Sequence, residues 1–164
     1  GKLRSFLIIM DVEHYFLRYA FPCAYIVKNL GEIDEDEFEF LKDCAINLKP
    51  ISKDRLEKIF YRAFEKIAKY TKEYWDIVVM EKYFKEWHNQ EIDKGVGYYA
   101  TAPAHIKKLS KVYKAKILDK KFNTFLVEYP EGQRRVFDDF VKDAQVGDFV
   151  FIHFGYAVEM ASEK

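Results

Sequence analysis

The hydrophobic period of this chain changes near residue 95, and no single regular architecture satisfies both halves. Up to about Ile92, apolar residues recur at i, i+3 and i+4, the spacing of an amphipathic helix. After Gly95-Val-Gly97 they come in short runs rich in β-branched and aromatic residues, broken by turn residues. The pattern predicts an α+β chain: an N-terminal helical bundle over residues 1–95, then a small antiparallel β-barrel over 96–164.

Within the first half, Asp11 or Ser5 is placed to cap a helix from Val12 to about Leu30, interrupted at Pro22 and closed by Gly31. The acidic run Glu32–Glu39 opens a second helix, where carboxylates in the first turn suit the helix dipole, and Pro50 stops it. Ser52 caps a third helix over about 53–72. Its apolar stripe is Leu56, Ile59, Phe60, Ala63, Phe64, Ile67 and Ala68. A fourth helix is expected from Glu73 to about Ile92, carrying Trp75, Val78, Val79, Tyr83, Phe84 and Trp87.

In the second half, strands are expected at Lys111–Leu118, Asn123–Tyr129, Gln133–Phe137 and Asp148–Met160, punctuated by Pro130-Glu-Gly132 and Gln145-Val-Gly-Asp148. Along the last strand Val150, Ile152 and Phe154 alternate with Phe149, Phe151 and His153. Both faces are apolar, so this strand is expected to be covered twice: by the barrel interior, and by helices or a partner.

Composition removes several classes. At 49% apolar and 18% aromatic residues, with 15 Phe and 12 Tyr, the chain buries enough surface to exclude disorder. Lys+Arg and Asp+Glu are both 27, so global charge gives no reason to expect a polyanion. Two cysteines, Cys23 and Cys44, cannot build a disulfide framework or a four-cysteine zinc site, and a reduced compartment is the simplest reading. The opening apolar run Phe6–Met10 is too short for a signal-peptide core or a bilayer span, so a cytoplasmic protein without membrane contact is expected.

Motifs that carry catalysis are missing. There is no G-x-S-x-G, P-loop, G-x-G-x-x-G or H-E-x-x-H, and Gly95-Val-Gly97 is short enough to be a hinge. His14, His88, His105 and His153 form no pair at ligand spacing with Cys or each other. No catalytic residue, metal ligand or cofactor is assigned, and the chain reads as non-enzymatic.

One charged feature stands out. Residues 101–121 hold seven lysines against the single acid Asp119, about +6 locally. Lys111, Lys114 and Lys116 with Tyr113 interleaved, and Arg134 and Arg135 on the next hairpin, match the make-up of a single-strand nucleic-acid binder. There, cations track phosphates and aromatics stack bases. The same lysines also suit a solvated edge strand, or neutralisation by the acidic run at 32–39.

The run Gln145-Val-Gly-Asp-Phe-Val-Phe-Ile-His-Phe-Gly-Tyr-Ala-Val-Glu-Met160 resembles the signature strand of the HypC/HupF hydrogenase-maturation chaperones. Gly147, Asp148, Val150, His153, Gly155 and Ala157 match it, with Tyr156 replacing the usual Phe; Leu126–Tyr129 followed by Arg134-Arg-Val136 resembles the family's hairpin. The resemblance covers about residues 110–160. It implies a small OB-like barrel that works by binding proteins: a HypD-like maturation scaffold and an immature hydrogenase large subunit, between which the family carries an iron group. It places partner-binding residues at Ser110, His153, Gly155 and Tyr156. The family's iron-holding cysteine falls on Ser110 here, and no cysteine follows Cys44. A hydroxyl is a poor substitute for a thiolate, so family-type iron carriage is not expected.

Three roles for the chain follow. The first is an accessory or assembly factor that recognises a protein. The second is a nucleic-acid-binding barrel using the Lys-rich strand, and the third a structural subunit of a larger complex. His153 is either at the partner surface or a half-buried imidazole bonded to backbone.

Overall fold

The structure, a computed structural model, describes residues 10–162; Ser5 and Phe6–Ile9, on which part of the N-terminal reading rests, lie outside them. The chain divides into two compact units, residues 1–81 and 82–164. The change of period near residue 95 therefore falls inside the second unit.

The first unit is helical. Helix α1 runs Val12–Asn29, opened by Asp11, whose carboxylate accepts from the His14 backbone N–H at 2.9 Å. The expected interruption at Pro22 does not occur. Pro22 lies buried inside a continuous helix, and burial of Phe16, Leu17, Phe21 and Ala24 along its length outweighs the one hydrogen bond a proline removes. At its end Gly31 takes φ +76°, a value a side chain resists. Glu32 N–H then returns to the Val27 carbonyl at 3.1 Å, closing the helix.

Helix α2, Glu35–Asn47, begins with three carboxylates in its first turn and the cap Asp34, as the acidic run implies. The third expected helix is split. Ser52 caps α3, Lys53–Ile59, but Phe60 leaves the helical region at ψ 38°, and α4, Tyr61–Ile67, starts anew. The break lets Phe60 and Phe64 both reach Phe16, at 5.7 and 4.7 Å between ring centroids. Of the predicted stripe, Leu56, Ile59, Phe60, Phe64 and Ile67 are buried, whereas Ala63 is half-buried and Ala68 exposed. Trp75 is not helical; it packs at 6.0 Å from Phe16, and its indole N–H donates to Glu57 at 2.9 Å. The fourth helix consequently begins later than expected, as α5, Ile77–Lys82, on which Val78 is exposed.

The second unit opens with a π-helical turn, Tyr83–Trp87, and α6, His88–Asp93. A 3-10 turn, Gly97–Ala100, and α7, Ala104–Ser110, precede the strands. These are β1 (Tyr113–Lys121), β2 (Thr124–Tyr129), β3 (Gly132–Phe137), β4 (Phe149–His153) and β5 (Tyr156–Ala161). They close into a barrel in the order β1-β2-β3-β5-β4. All pairings are antiparallel except β3 with β5, which meet in parallel at Phe137 and Tyr156.

The expected single strand Asp148–Met160 is a hairpin, β4 and β5, turned at Phe154 and Gly155. Phe154, not the glycine, holds the left-handed value, φ 50°. Ile152 joins the barrel interior and His153 alternates to the opposite side of β4, against His88, yet both are fully buried. The β-bulge of this hairpin lies on β5, where Val158 is the extra residue between the pairs Phe151–Glu159 and Ile152–Ala157. The interior is filled by Ala115, Ile117, Phe125, Val127, Val136, Val150, Ile152 and Ala157, with Ala144 from the β3–β4 loop. No helix among the described residues is long and apolar enough to cross a membrane.

Candidate functional site

One end of the barrel concentrates polar groups. β1 starts, β2 ends, β3 starts, β4 ends and β5 starts there, and alternation along the strands carries inward-facing positions up to this rim. Tyr113 continues the inward row of Ala115 and Ile117, Tyr129 that of Val127, and Arg134 that of Val136. The two tyrosine rings lie 5.1 Å apart, and the Arg134 guanidinium sits 4.8 Å from the Tyr129 ring centroid.

His153 closes the same end. It is fully buried, its ring 5.1 Å from that of His88 and edge-on to it. Loss of solvent holds its basicity well below the ordinary histidine value, the nearby His88 and Arg134 add to the effect, and a hydrogen bond to the Ser110 backbone opposes it. His153 is therefore the neutral imidazole at neutral pH.

Residues 82–112 are fastened to this rim by backbone-directed bonds. The Asn89 side-chain amide donates to the Val112 carbonyl and accepts from the Val112 N–H, both at 2.8 Å, as a neighbouring strand would. Phe154 N–H donates to the Leu109 carbonyl at 2.9 Å, and the Ser110 hydroxyl to the Ile106 carbonyl at 2.7 Å. Lys85 pairs with Glu159 at 3.1 Å and lies over the Phe151 ring at 3.9 Å. Phe151, on the outer side of β4, is thus covered from within its own unit.

The residues assigned to a partner surface lie together around the β4–β5 turn but are mostly buried. Ser110, His153 and Tyr156 are buried, Tyr156 stacked on Phe140 at 5.2 Å, and only Gly155 is exposed. No backbone crowding explains Gly155. Its φ is not left-handed and a Cβ there would meet nothing within 4 Å. The left-handed turn falls on Phe154 and the bulge on β5 at Val158.

The six residues assigned to nucleic-acid binding divide into three groups. Lys114 and Lys116 face outward, Lys114 5.2 Å above the Phe149 ring, in a shallow groove of about 520 Å³ with Glu128, Tyr129, Gln133 and Phe149. Register sets Phe149, Lys116, Glu128 and Gln133 in one cross-strand row. Lys111, ion-paired to Asp93, and Tyr113 line a second groove of about 500 Å³ at the polar rim, with His105, Lys107, Lys108 and Glu131. Arg134 points inward, and Arg135 lies on the outside, 3.3 Å from Asp119.

The acidic run has ion-pair partners of its own. Glu32 pairs with Arg62 at 2.7 Å, Glu35 with Lys28 at 3.1 Å and Glu37 with Arg55 at 2.9 Å, all inside the first unit. Among the described residues no group of three or more His, Cys, Asp or Glu could hold a metal. Burial pushes the Cys23 thiol up to about 12 and raises that of Cys44, so neither is a ready thiolate.

Sequence reading missed the pairing of His88 with His153 and the role of Asn89. The only signal was His88 itself, whose contact with His153 is made across the outer side of β4. Comparison with family models, with curated proteins and with solved structures gives no match for this chain.

Proposed function

We propose that this chain is a non-enzymatic accessory factor whose barrel recognises a protein partner, in the manner of hydrogenase-maturation chaperones but without their iron carriage. The supporting observation is the closed five-stranded barrel over Tyr113–Ala161, which spans nearly the same residues as the resemblance at 110–160. Its strand order, with one parallel closure between β3 and β5, also suits an OB-like barrel. Because Ser110, His153 and Tyr156 are buried, the surface offered to the partner is the outer row around Phe149 and Lys116. Iron carriage gains no support from Ser110, which is buried and bonded to Ile106.

The test is direct binding of the purified chain to a purified HypD-like scaffold and to the immature large subunit of a nickel–iron hydrogenase. Saturable 1:1 binding to either, weakened by Phe149→Ala with Lys116→Glu, is the expected result. No binding to either at micromolar concentration removes the reading.

A second reading, a nucleic-acid-binding barrel, is favoured by Lys114 and Lys116 beside the exposed edge of Phe149. With two lysines in the groove, single-strand binding would show a salt slope of about −1.4. Fluorescence anisotropy with a labelled oligonucleotide measures it, and a flat response at low salt removes this reading.

A further inference from the structure

We infer that the polar end of the barrel is a binding site for a carboxylate, held side-on by the Nε–Nη2 edge of Arg134. The inference goes beyond the partner reading and does not depend on it.

The first observation is an orphaned edge. Arg134 Nε and Nη2 are both buried and neither has a hydrogen-bond partner. The remaining nitrogen, Nη1, reaches only the Tyr129 hydroxyl, at a long 3.5 Å. Buried donors are almost always satisfied, and a guanidinium never loses its proton to escape the requirement. Two adjacent N–H groups in one plane match the two oxygens of a carboxylate, the geometry in which arginine binds most strongly.

The second observation is what surrounds the edge. Among the described residues Arg134 forms no ion pair with a carboxylate; its neighbours are the Tyr129 ring at 4.8 Å and the Tyr129 hydroxyl. Fully buried His153 is neutral, and the Arg134 charge helps to keep it so. An internal ion pair, the usual reason to bury an arginine, is therefore not what Arg134 serves.

The third is an approach. Tyr113, whose ring lies 5.1 Å from the Tyr129 ring that Arg134 sits against, also lines the rim groove of about 500 Å³. His105, Lys107, Lys108 and Lys111 line it against two acids, Asp93 and Glu131. The positive balance of the three lysines over the two acids draws an anion to this end of the barrel, where Arg134 lies. Among its described lining residues, the outer groove at Phe149 has no such unpaired buried donor.

The decisive measurement is the Nε–Hε proton–nitrogen correlation of Arg134 in the full chain, titrated with sodium acetate against sodium chloride at constant ionic strength. Arg134→Lys identifies the resonance and keeps the charge while removing the fork. The expected result is a saturable downfield shift of the Arg134 Hε signal with acetate and not with chloride, and a rise in Tm with acetate that Arg134→Lys lacks. No acetate-specific shift overturns the inference, and tighter binding of inorganic phosphate than of acetate overturns the choice of carboxylate. A short peptide with a free C-terminus, run beside its amidated form, separates the two sources. Tighter binding of the free form than of acetate means that a chain end is the ligand; equal binding means a small carboxylate.

Discussion

The two units handle polar groups differently. In the helical unit most charged groups stay at the surface and pair locally, Glu32 with Arg62, Glu37 with Arg55, Lys53 with Glu13. The buried His14 and half-buried Arg18 bond to the Lys49 and Ala45 carbonyls, and the interior is rich in aromatic rings. In the barrel unit the exterior carries lysines, but His153, His88, Ser110 and part of Arg134 are drawn inside one end. Surface pairs add little to stability, whereas buried polar groups are costly unless satisfied. The helical unit therefore reads as built for stability, and the barrel end as a place where stability is given up for something else.

If that contrast is right, the helical unit should respond most to lost apolar volume. Phe16→Ala, at a fully buried ring touching Phe60, Phe64 and Trp75, is expected to cost about 3–5 kcal/mol. Urea unfolding followed by helical circular dichroism measures it, and a loss below 1 kcal/mol would mean that the aromatic cluster is not the core of this unit.

The barrel unit should instead respond to a lost polar clamp. Asn89→Ala leaves both the N–H and the carbonyl of Val112 without the amide that pairs with them, and is expected to cost about 1–3 kcal/mol. Asn89→Asp keeps the acceptor for Val112 N–H and loses only the donor, so a smaller loss is expected. Hydrogen exchange at Val112 reads both directly; unchanged protection in Asn89→Ala would show that the clamp is not formed.

Titration separates the units further. His153 is held neutral when native, while the unfolded chain protonates near its ordinary value of 6.5, so the unfolded state binds more protons below that value. Stability from this group is complete above about pH 6.5 and falls as pH drops toward the native value, by up to about 1.4 kcal/mol per pH unit. The paired carboxylates of the helical unit behave at lower pH. Glu32 is lowered by its hydrogen bond from Arg62. Asp11 is lowered by bonds from His14, although partial burial alone would raise it. Their contribution is lost only as pH falls below the ordinary carboxylate values of 4.5 and 3.8. Unfolding free energy measured from pH 7 to 5 should therefore slope in the wild type and flatten in His153→Gln; equal slopes would remove His153 as the source.

How far these features can be read from sequence follows the same division. Local rules place Asp34 and Ser52 as caps and Gly31 as a helix stop, because a cap needs only its next three residues. They fail at Pro22 and Phe60, where packing from distant positions overrides propensity. The barrel was legible as short strands, but the turn inside Asp148–Met160 was not. Phe154 has none of the features that mark a turn, and its left-handed backbone is held by tertiary structure. The polar end was least legible, since Arg134, His153, His88 and Asn89 are brought together by strand closure and by a helical segment bonded to the start of β1.

Gly155 gives the finest test of that last point. The resemblance makes Gly155 a signature position, and a glycine after an aromatic residue suggests a backbone need. The geometry contains none: its φ is ordinary, a Cβ has open space around it, and its only recorded duty is a carbonyl that accepts from Phe137 N–H at 2.7 Å, which any residue can perform. Gly155→Ala is therefore expected to change unfolding free energy by less than about 0.5 kcal/mol. Phe154→Gly should relieve the left-handed backbone but forfeit the contact of its ring with His153 at 4.9 Å. A neutral Gly155→Ala that nevertheless weakens binding to a partner protein would make Gly155, the one exposed member of its group, a surface that a methyl group obstructs. A neutral variant with unchanged binding would leave the glycine without a role in either folding or recognition.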